Sequence, residues 1–144
     1  MDKIDHEIIG HLQRDGRLSF RELGEAVHLS ANAVAERYRR LRASGTIRQI
    51  RAEVDPAALG RHVEAQVEVK LLPETAALDF EQRLRHLPQV VSATLMTGSF
   101  DYALRVACQD RSELMAVVET LRREAGVRET HTRMVLREVA LGAG

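Results

Sequence analysis

The sequence predicts an α+β chain of two parts, a winged-helix-like helix-turn-helix followed by a ferredoxin-like βαββαβ domain. Three observations lead there. Two short stretches of helical spacing meet at Leu29-Ser30 with room for only a tight turn between them. From His62 to Leu71 apolar and polar residues alternate without a break, the pattern of a strand with one wet face. Beyond it the stretches succeed one another as helix, strand, strand, helix, strand, an order that builds an antiparallel sheet with both helices on one side. The parts are expected at residues 1–50 and 62–144, with a strand linker over residues 51–61.

In the first part, Asp2 caps a helix with Asp5 three residues on, and Ile4, Ile8 and Leu12 line its inner side until Asp15-Gly16 stops it. Ser19-Phe20-Arg21-Glu22 is an S-x-x-E capping box whose helix turns Phe20, Leu23 and Val27 inward. Ser30 caps a third helix, about Ala31 to Ser44, and Gly45 suits the left-handed position that ends it. Val34, Tyr38 and Leu41 form one buried stripe, which turns Asn32, Ala33, Glu36, Arg37 and Arg40 to solvent. Those side chains suit duplex DNA: Asn grips adenine and Arg grips guanine through two hydrogen bonds, Glu accepts from cytosine, and Ala lets a helix sink into the major groove. Arg39, Arg42 and Arg48 suit phosphates. Arg37 lies beside the buried stripe, where pairing with Asp5 competes with a role on DNA. Between Arg37 and Arg51 stand six arginines and no acid. A solvated arginine-rich face is the ordinary reading of one such helix, but the two helices before it favour a DNA reader.

In the second part, residues 46–54 are strand-like and Asp55-Pro56 opens a turn towards Gly60. Val63, Ala65, Val67, Val69 and Leu71 form the dry side of the alternating strand. After Pro73, Ala77, Phe80, Leu84 and Leu87 recur at helical spacing until Pro88. Val90 to Thr97 and Tyr102 to Cys108 are two strands joined through Gly98-Ser99-Phe100-Asp101, a hairpin. Asp110 and Glu113 cap a helix with Leu114, Val117, Val118 and Leu121 inward, Gly126 ends it, and Val127 to Val139 reads as a last long strand. Neither side of that strand is plainly polar, so burial of the open sheet face against another copy is expected.

The totals narrow the function. In 144 residues, Lys+Arg and Asp+Glu both number 21, so whole-molecule attraction to nucleic acid or membrane has no support, and any DNA contact must come from local clustering. Up to Gly60 the balance is +1, too little for one copy to hold DNA tightly. Nineteen of the basic residues are arginines, an excess that serves forked contacts or simply reflects a GC-rich genome. One cysteine, no leader and no long apolar run make a cytoplasmic location the default and give no membrane partner. Cys108, in a strand pattern, reads as a small core residue.

Residues through most of the chain carry a family resemblance: Ile4-Asp5, Leu29-Ser30, Val34, Arg37, Arg40-Leu41, Gly45-x-Ile47, Asp55-Pro56 to Leu59-Gly60, Leu87-Pro88-x-Val90, Thr97-Gly98-x-Phe100-Asp101-Tyr102 and Val135-Leu136. Together they resemble the leucine-responsive regulatory protein/AsnC (Lrp/AsnC) family of transcription regulators, whose second domain is the RAM or Lrp ligand-binding type. Two positions depart from the family pattern: His28 stands where a turn glycine is usual, and Ser99 stands where an acidic or amide residue often follows Gly98. His28 should tolerate the left-handed conformation. The resemblance implies dimers joined through the sheets, commonly assembled into octamers, and a small effector, often an amino acid, bound between dimers near the hairpin turn. With the helix face read above, DNA contacts are expected at Ser30, Asn32, Ala33, Glu36, Arg37, Arg39, Arg40 and Arg48. Effector contacts follow at Leu95, Met96, Thr97, Gly98, Ser99, Phe100, Asp101 and Tyr102, with Thr130 and Thr132 of the last strand. Asp101 would offer a negative charge to an ammonium, backbone N–H groups of the turn would meet a carboxylate, and Leu95 and Met96 would select the side chain. Gly and Asp are equally ordinary turn residues.

A catalytic reading finds no partners. His6 and His11 lie five apart, and His62, His86 and His131 are isolated, so no metal-ligand spacing exists and no cofactor is expected. No G-x-S-x-G, phosphate-cradling loop or nucleophile with a nearby base occurs either. The sirohaem decarboxylases resemble the same two-part architecture, but their histidine- and aromatic-rich sheet segment is absent. A further alternative is an effector-binding module that keeps its helix-turn-helix only as scaffold.

Overall fold

Caps decide where the helices of the first part begin. Helix α1 (Lys3–Arg14) opens on a reciprocal box in which Asp5 N–H donates to Asp2 Oδ1 at 2.9 Å and Asp2 N–H donates to Asp5 Oδ2 at 3.0 Å. Helix α2 (Phe20–Val27) opens on the same device, built from Ser19 and Glu22. Helix α3 (Ala31–Ala43) starts at Ser30, whose Oγ accepts from Ala33 N–H at 3.2 Å. The turn between α2 and α3 hinges on His28, which sits in the left-handed region at φ 59°. Gly24 lets that turn close, since a Cβ there would lie 2.5 Å from the Leu29 carbonyl oxygen. Ile8, Leu23, Val27 and Val34 form the core, with Ile4, Leu12, Leu18 and Leu29 packed around it.

The second part is a four-stranded antiparallel sheet in the order β2-β3-β1-β4, where β1 is Val63–Leu71, β2 Val90–Leu95, β3 Tyr102–Cys108 and β4 Val127–Met134. Helices α4 (Ala77–Leu84) and α5 (Arg111–Glu124) cover one face. On that side Ala65, Val67 and Val69 of β1 meet Tyr102, Leu104, Val106 and Cys108 of β3 under Phe80, Leu84, Leu114, Val117 and Leu121. The alternation read from the sequence is thus the division between this core and a polar outer face. Asp110 caps α5 by accepting from Glu113 N–H at 2.8 Å. Gly126, at φ 68°, packs so closely on Thr75 that a Cβ would collide with its side chain.

The computed structural model describes residues 1–141, and its chain divides into two compact units, Met1–Glu53 with the stretch from Val139, and Val54–Glu138. Four expected features come out differently. Residues 46–54 form no strand and the expected strand linker holds a 3-10 turn, Pro56–Leu59. A strand needs a ladder partner, whereas Ile47 is tied back to α3, its N–H donating to the Leu41 carbonyl at 3.0 Å and its carbonyl accepting from Arg42 at 2.9 Å. Strand β4 stops at Met134 rather than Val139, because β1 begins at Val63 and offers nothing beyond the bond from Val135 N–H to the Glu64 carbonyl. Leu136 is then 98% exposed. Strand β2 ends at Leu95, leaving residues 96–101 to the turn. Phe20 is 39% exposed instead of buried. At the first residue of α2 it lies outside the core and packs its ring on Tyr38, with centroids 5.4 Å apart, a pairing worth about 0.5–1.5 kcal/mol.

Arg37 ties α3 to the start of α1. Its Nη1 donates to Asp2 Oδ2 at 2.7 Å and to Asp5 Oδ1 at 2.9 Å. The Asp5 N–H and the Arg37 guanidinium hold Asp2 down to about 2, and the Asp2 N–H with Arg37 lowers Asp5 against the opposing effect of burial. Carboxylates made more acidic by folding stabilise the folded form while ionised, so their contribution is complete above about pH 4 and is lost as pH falls towards 2. Unfolding followed by far-UV circular dichroism should therefore show a flat midpoint near neutrality and a steep acid limb below pH 4. Arg37→Met should make that limb shallower, and Asp5→Asn shallower still; an unchanged limb in both variants contradicts the assignment.

Candidate functional site

Helix α3 presents its outer face much as its spacing implies. Asn32, Glu36, Arg39 and Arg40 are exposed and Ala33 is half-buried. Glu36 and Arg39 pair with each other at 3.0 Å while both stay about two-thirds exposed, a contact weak enough for a phosphate or base to displace. Arg40 and Arg48 have no ion-pair partner among the described residues. Ser30 is spoken for by the helix cap, so only its backbone environment and remaining hydroxyl capacity face outward. Arg37 differs from that expectation: its Nη1 donates to both Asp2 and Asp5, and its side chain is only 20% exposed. The cause is its place on the edge of the stripe through Val34 and Leu41, which aims it at the acidic cap of α1. Arg42, in turn, serves the Ile47 carbonyl. The outward side of α3 is therefore formed by Asn32, Ala33, Glu36, Arg39 and Arg40, with Arg48 beyond the helix end.

The hairpin between β2 and β3 lines a separate groove of about 380 Å³, a size that suits a small ligand. Met96, Thr97, Ser99, Phe100 and Tyr102 contribute from the hairpin, and Gln66, Glu68 and Ala103 from the outer face of the sheet. Gly98 bends the turn at φ 106°. Tyr102 offers the groove mainly its backbone, because its ring packs on Phe80 at 4.8 Å and its hydroxyl donates to Glu81 at 2.7 Å. Burial and that carboxylate push the phenol up to about 12.

Four of the sequence-derived effector residues stand elsewhere. Asp101 is tied to the sheet: its Oδ2 accepts from Leu71 N–H at 2.8 Å where the β1–β4 register shifts, and its own N–H donates to the Val69 carbonyl at 2.8 Å. Thr130 and Thr132 pair with Val69 and Val67, so they share the helix-covered face and not that of Gln66 and Glu68; Thr130 accepts from Arg122 at 2.9 Å. Leu95, opposite Tyr102, is also on that side, 64% exposed. The alternation of β4 carried the signal, but only its register with β1 tells which alternate shares the groove's side of the sheet. His131 and Arg133 do, opposite Glu68 and Gln66, although neither lines the groove itself. Gln66 and Glu68 were legible only as the wet side of β1. No cluster of metal-ligating side chains occurs among the described residues, nor does any helix there have the length and apolarity to cross a membrane.

Comparison with known proteins agrees with both halves of this geometry. Residues 1–42 match the AsnC-type helix-turn-helix domain and residues 64–143 match the Lrp/AsnC ligand binding domain. The leucine-responsive regulatory protein of Escherichia coli is 35% identical over 143 residues, covering 96% of this chain and 87% of that protein. The transcriptional regulator FL11 of Pyrococcus furiosus is 31% identical over 95% of this chain and 90% of its own. A Neisseria meningitidis transcriptional regulator solved with L-methionine matches at TM-score 0.88 and 32% identity, over 97% of this chain and 92% of that one. The feast or famine regulatory protein of Mycobacterium tuberculosis, also complexed with L-methionine, matches at 0.89 and 30% identity over 96% and 94%. A capped helix-turn-helix and a βαββαβ sheet, matched over nearly their whole length, place the chain in the Lrp/AsnC family of DNA-binding transcription regulators.

Proposed function

We propose that the chain regulates transcription as a dimer or a higher assembly of dimers, reading duplex DNA with the outer face of α3 and responding to an amino acid bound in the hairpin groove between subunits. The observation that carries the DNA reading is the division among the arginines, in which Arg37 is paired inside the unit while Arg40 and Arg48 have no ion-pair partner among the described residues. Asn32 and Arg40 would contact base edges, Ala33 would allow close approach, Glu36 and Arg39 would exchange their mutual pair for the groove, and Ser30 and Arg48 would lie along the backbone. Tethering two such readers compensates for the small charge of each, because the second contact becomes intramolecular. For the effector, support comes from backbone N–H groups of residues 97–100, which have no acceptor among the described residues, and from the L-methionine held by two structural neighbours. Those donors suit a carboxylate, and Met96 and Phe100 suit an apolar side chain.

In an electrophoretic shift with the chain's own upstream DNA, Arg40→Ala should lose about 1–3 kcal/mol of specific binding and relax the footprint, whereas Arg48→Ala should weaken all sequences alike and lower the salt slope by about one. Unchanged affinity and footprint in Arg40→Ala would remove α3 from the groove. Light scattering at micromolar concentration should give at least the dimer mass, and a monomer mass counts against the tethered reader. Calorimetric titration of the standard L-amino acids should find one that binds wild type and binds Phe100→Ala at least about tenfold more weakly, the scale of losing an apolar wall. If both bind alike, the site lies elsewhere.

A further inference from the structure

The tip of the hairpin is the least tied wall of the groove. Its stem is fixed at both ends, since Met96 N–H donates to the Asp101 carbonyl and Asp101 N–H to the Val69 carbonyl, each at 2.8 Å. Between those anchors residues 97–100 make no hydrogen bond to the rest of the chain among the described residues, and Gly98 gives the tip a pivot that no side chain restrains. To one side the tip meets an aromatic ring. The ring of Phe100 stacks on His131 of β4, with centroids 6.2 Å apart and planes at 27°. His131 does not itself line the groove; it stands opposite Glu68 of β1, which does.

We infer that His131 is a positioning residue that sets effector affinity by clamping Phe100 as the groove's aromatic wall. This rests on the hairpin groove being the effector site. The clamp is the stack and not an ion pair. His131 Nδ1 lies 3.9 Å from Glu68 Oε2, too far for a hydrogen bond, while Arg133 Nη2 reaches Glu68 Oε1 at 3.4 Å and is the nearer partner of that carboxylate. Of the other charged groups on this face, Lys70 and Glu129 stand opposite one another one pair further along. A flat ring at position 131 is what the wall requires, and its charge is incidental.

The test is calorimetric titration of L-amino acids, L-methionine first, into wild type, His131→Ala, His131→Phe, Phe100→Ala and the double variant His131→Ala/Phe100→Ala, each checked for an unchanged melting midpoint without ligand. His131→Ala should weaken binding about two- to tenfold, the range of an aromatic pair, and His131→Phe should restore it to within about twofold. In the Phe100→Ala background, His131→Ala should cost nothing further, because its effect passes through the ring already removed. Wild-type affinity in His131→Ala, failure of His131→Phe to rescue, or additive losses in the double variant overturns the clamp while leaving the effector site standing. If no amino acid binds wild type, the effector reading fails and the clamp with it.

Discussion

Strand β1 is the constraint on which the second unit depends. Both its edges are hydrogen bonded, to β3 and to β4, and its two faces have opposite chemistry, with Val67 and Val69 in the core and Gln66 and Glu68 outside. A slip of one residue would drive Glu64, Gln66 and Glu68 under the helices, a burial of charge that no partner there could offset. The register is therefore fixed, and with it everything that hangs on the strand's end. The Val69 carbonyl and the Leu71 N–H hold Asp101, and Asp101 sets where the hairpin leaves the sheet.

That arrangement explains why the most suggestive acid of the hairpin has a structural duty. A register shift at Lys70/Leu71 leaves a backbone donor to be met, and the Asp101 carboxylate meets it. The groove is then walled by side chains whose own bonding is light, Met96, Thr97, Ser99 and Phe100, over a sheet face carrying Glu68 and Gln66. Such a site combines a rigid floor with a tip that has little local stability, the combination from which ligand-responsive elements are usually drawn.

In the helix-turn-helix unit, local chemistry does most of the work. Caps at Asp2, Ser19 and Ser30 fix the helix starts, and His28 and Gly24 fix the turn. Arg37 then closes α3 onto α1 across the only buried acid of the described core, Asp5. Its Nη1 is engaged in that closure, which leaves the outward face of α3 to a smaller set of groups than a count of arginines suggests.

The sequence by itself determined the two-part architecture, because capping boxes, helical spacing and period-two alternation are local properties that recur wherever a helix or half-buried strand must hide one side. Ser19 with Glu22, Ser30, Asp110 with Glu113 and the run from Val63 to Leu71 all act in the structure as their spacing implies. The outward set Asn32, Ala33, Glu36 and Arg40 was legible for the same reason. What tertiary structure alone decided were the choices that need a partner. Residues 46–54 and 135–139 look like strands, but a strand exists only where another offers its ladder, and here β1 ends first and α3 claims Ile47. Whether Arg37 reads DNA or braces a cap depends on where α1 lies. Whether Thr130 and Thr132 or His131 and Arg133 share the groove's side of the sheet depends on pairing with β1, since alternation divides a strand into two sides and does not say which is which.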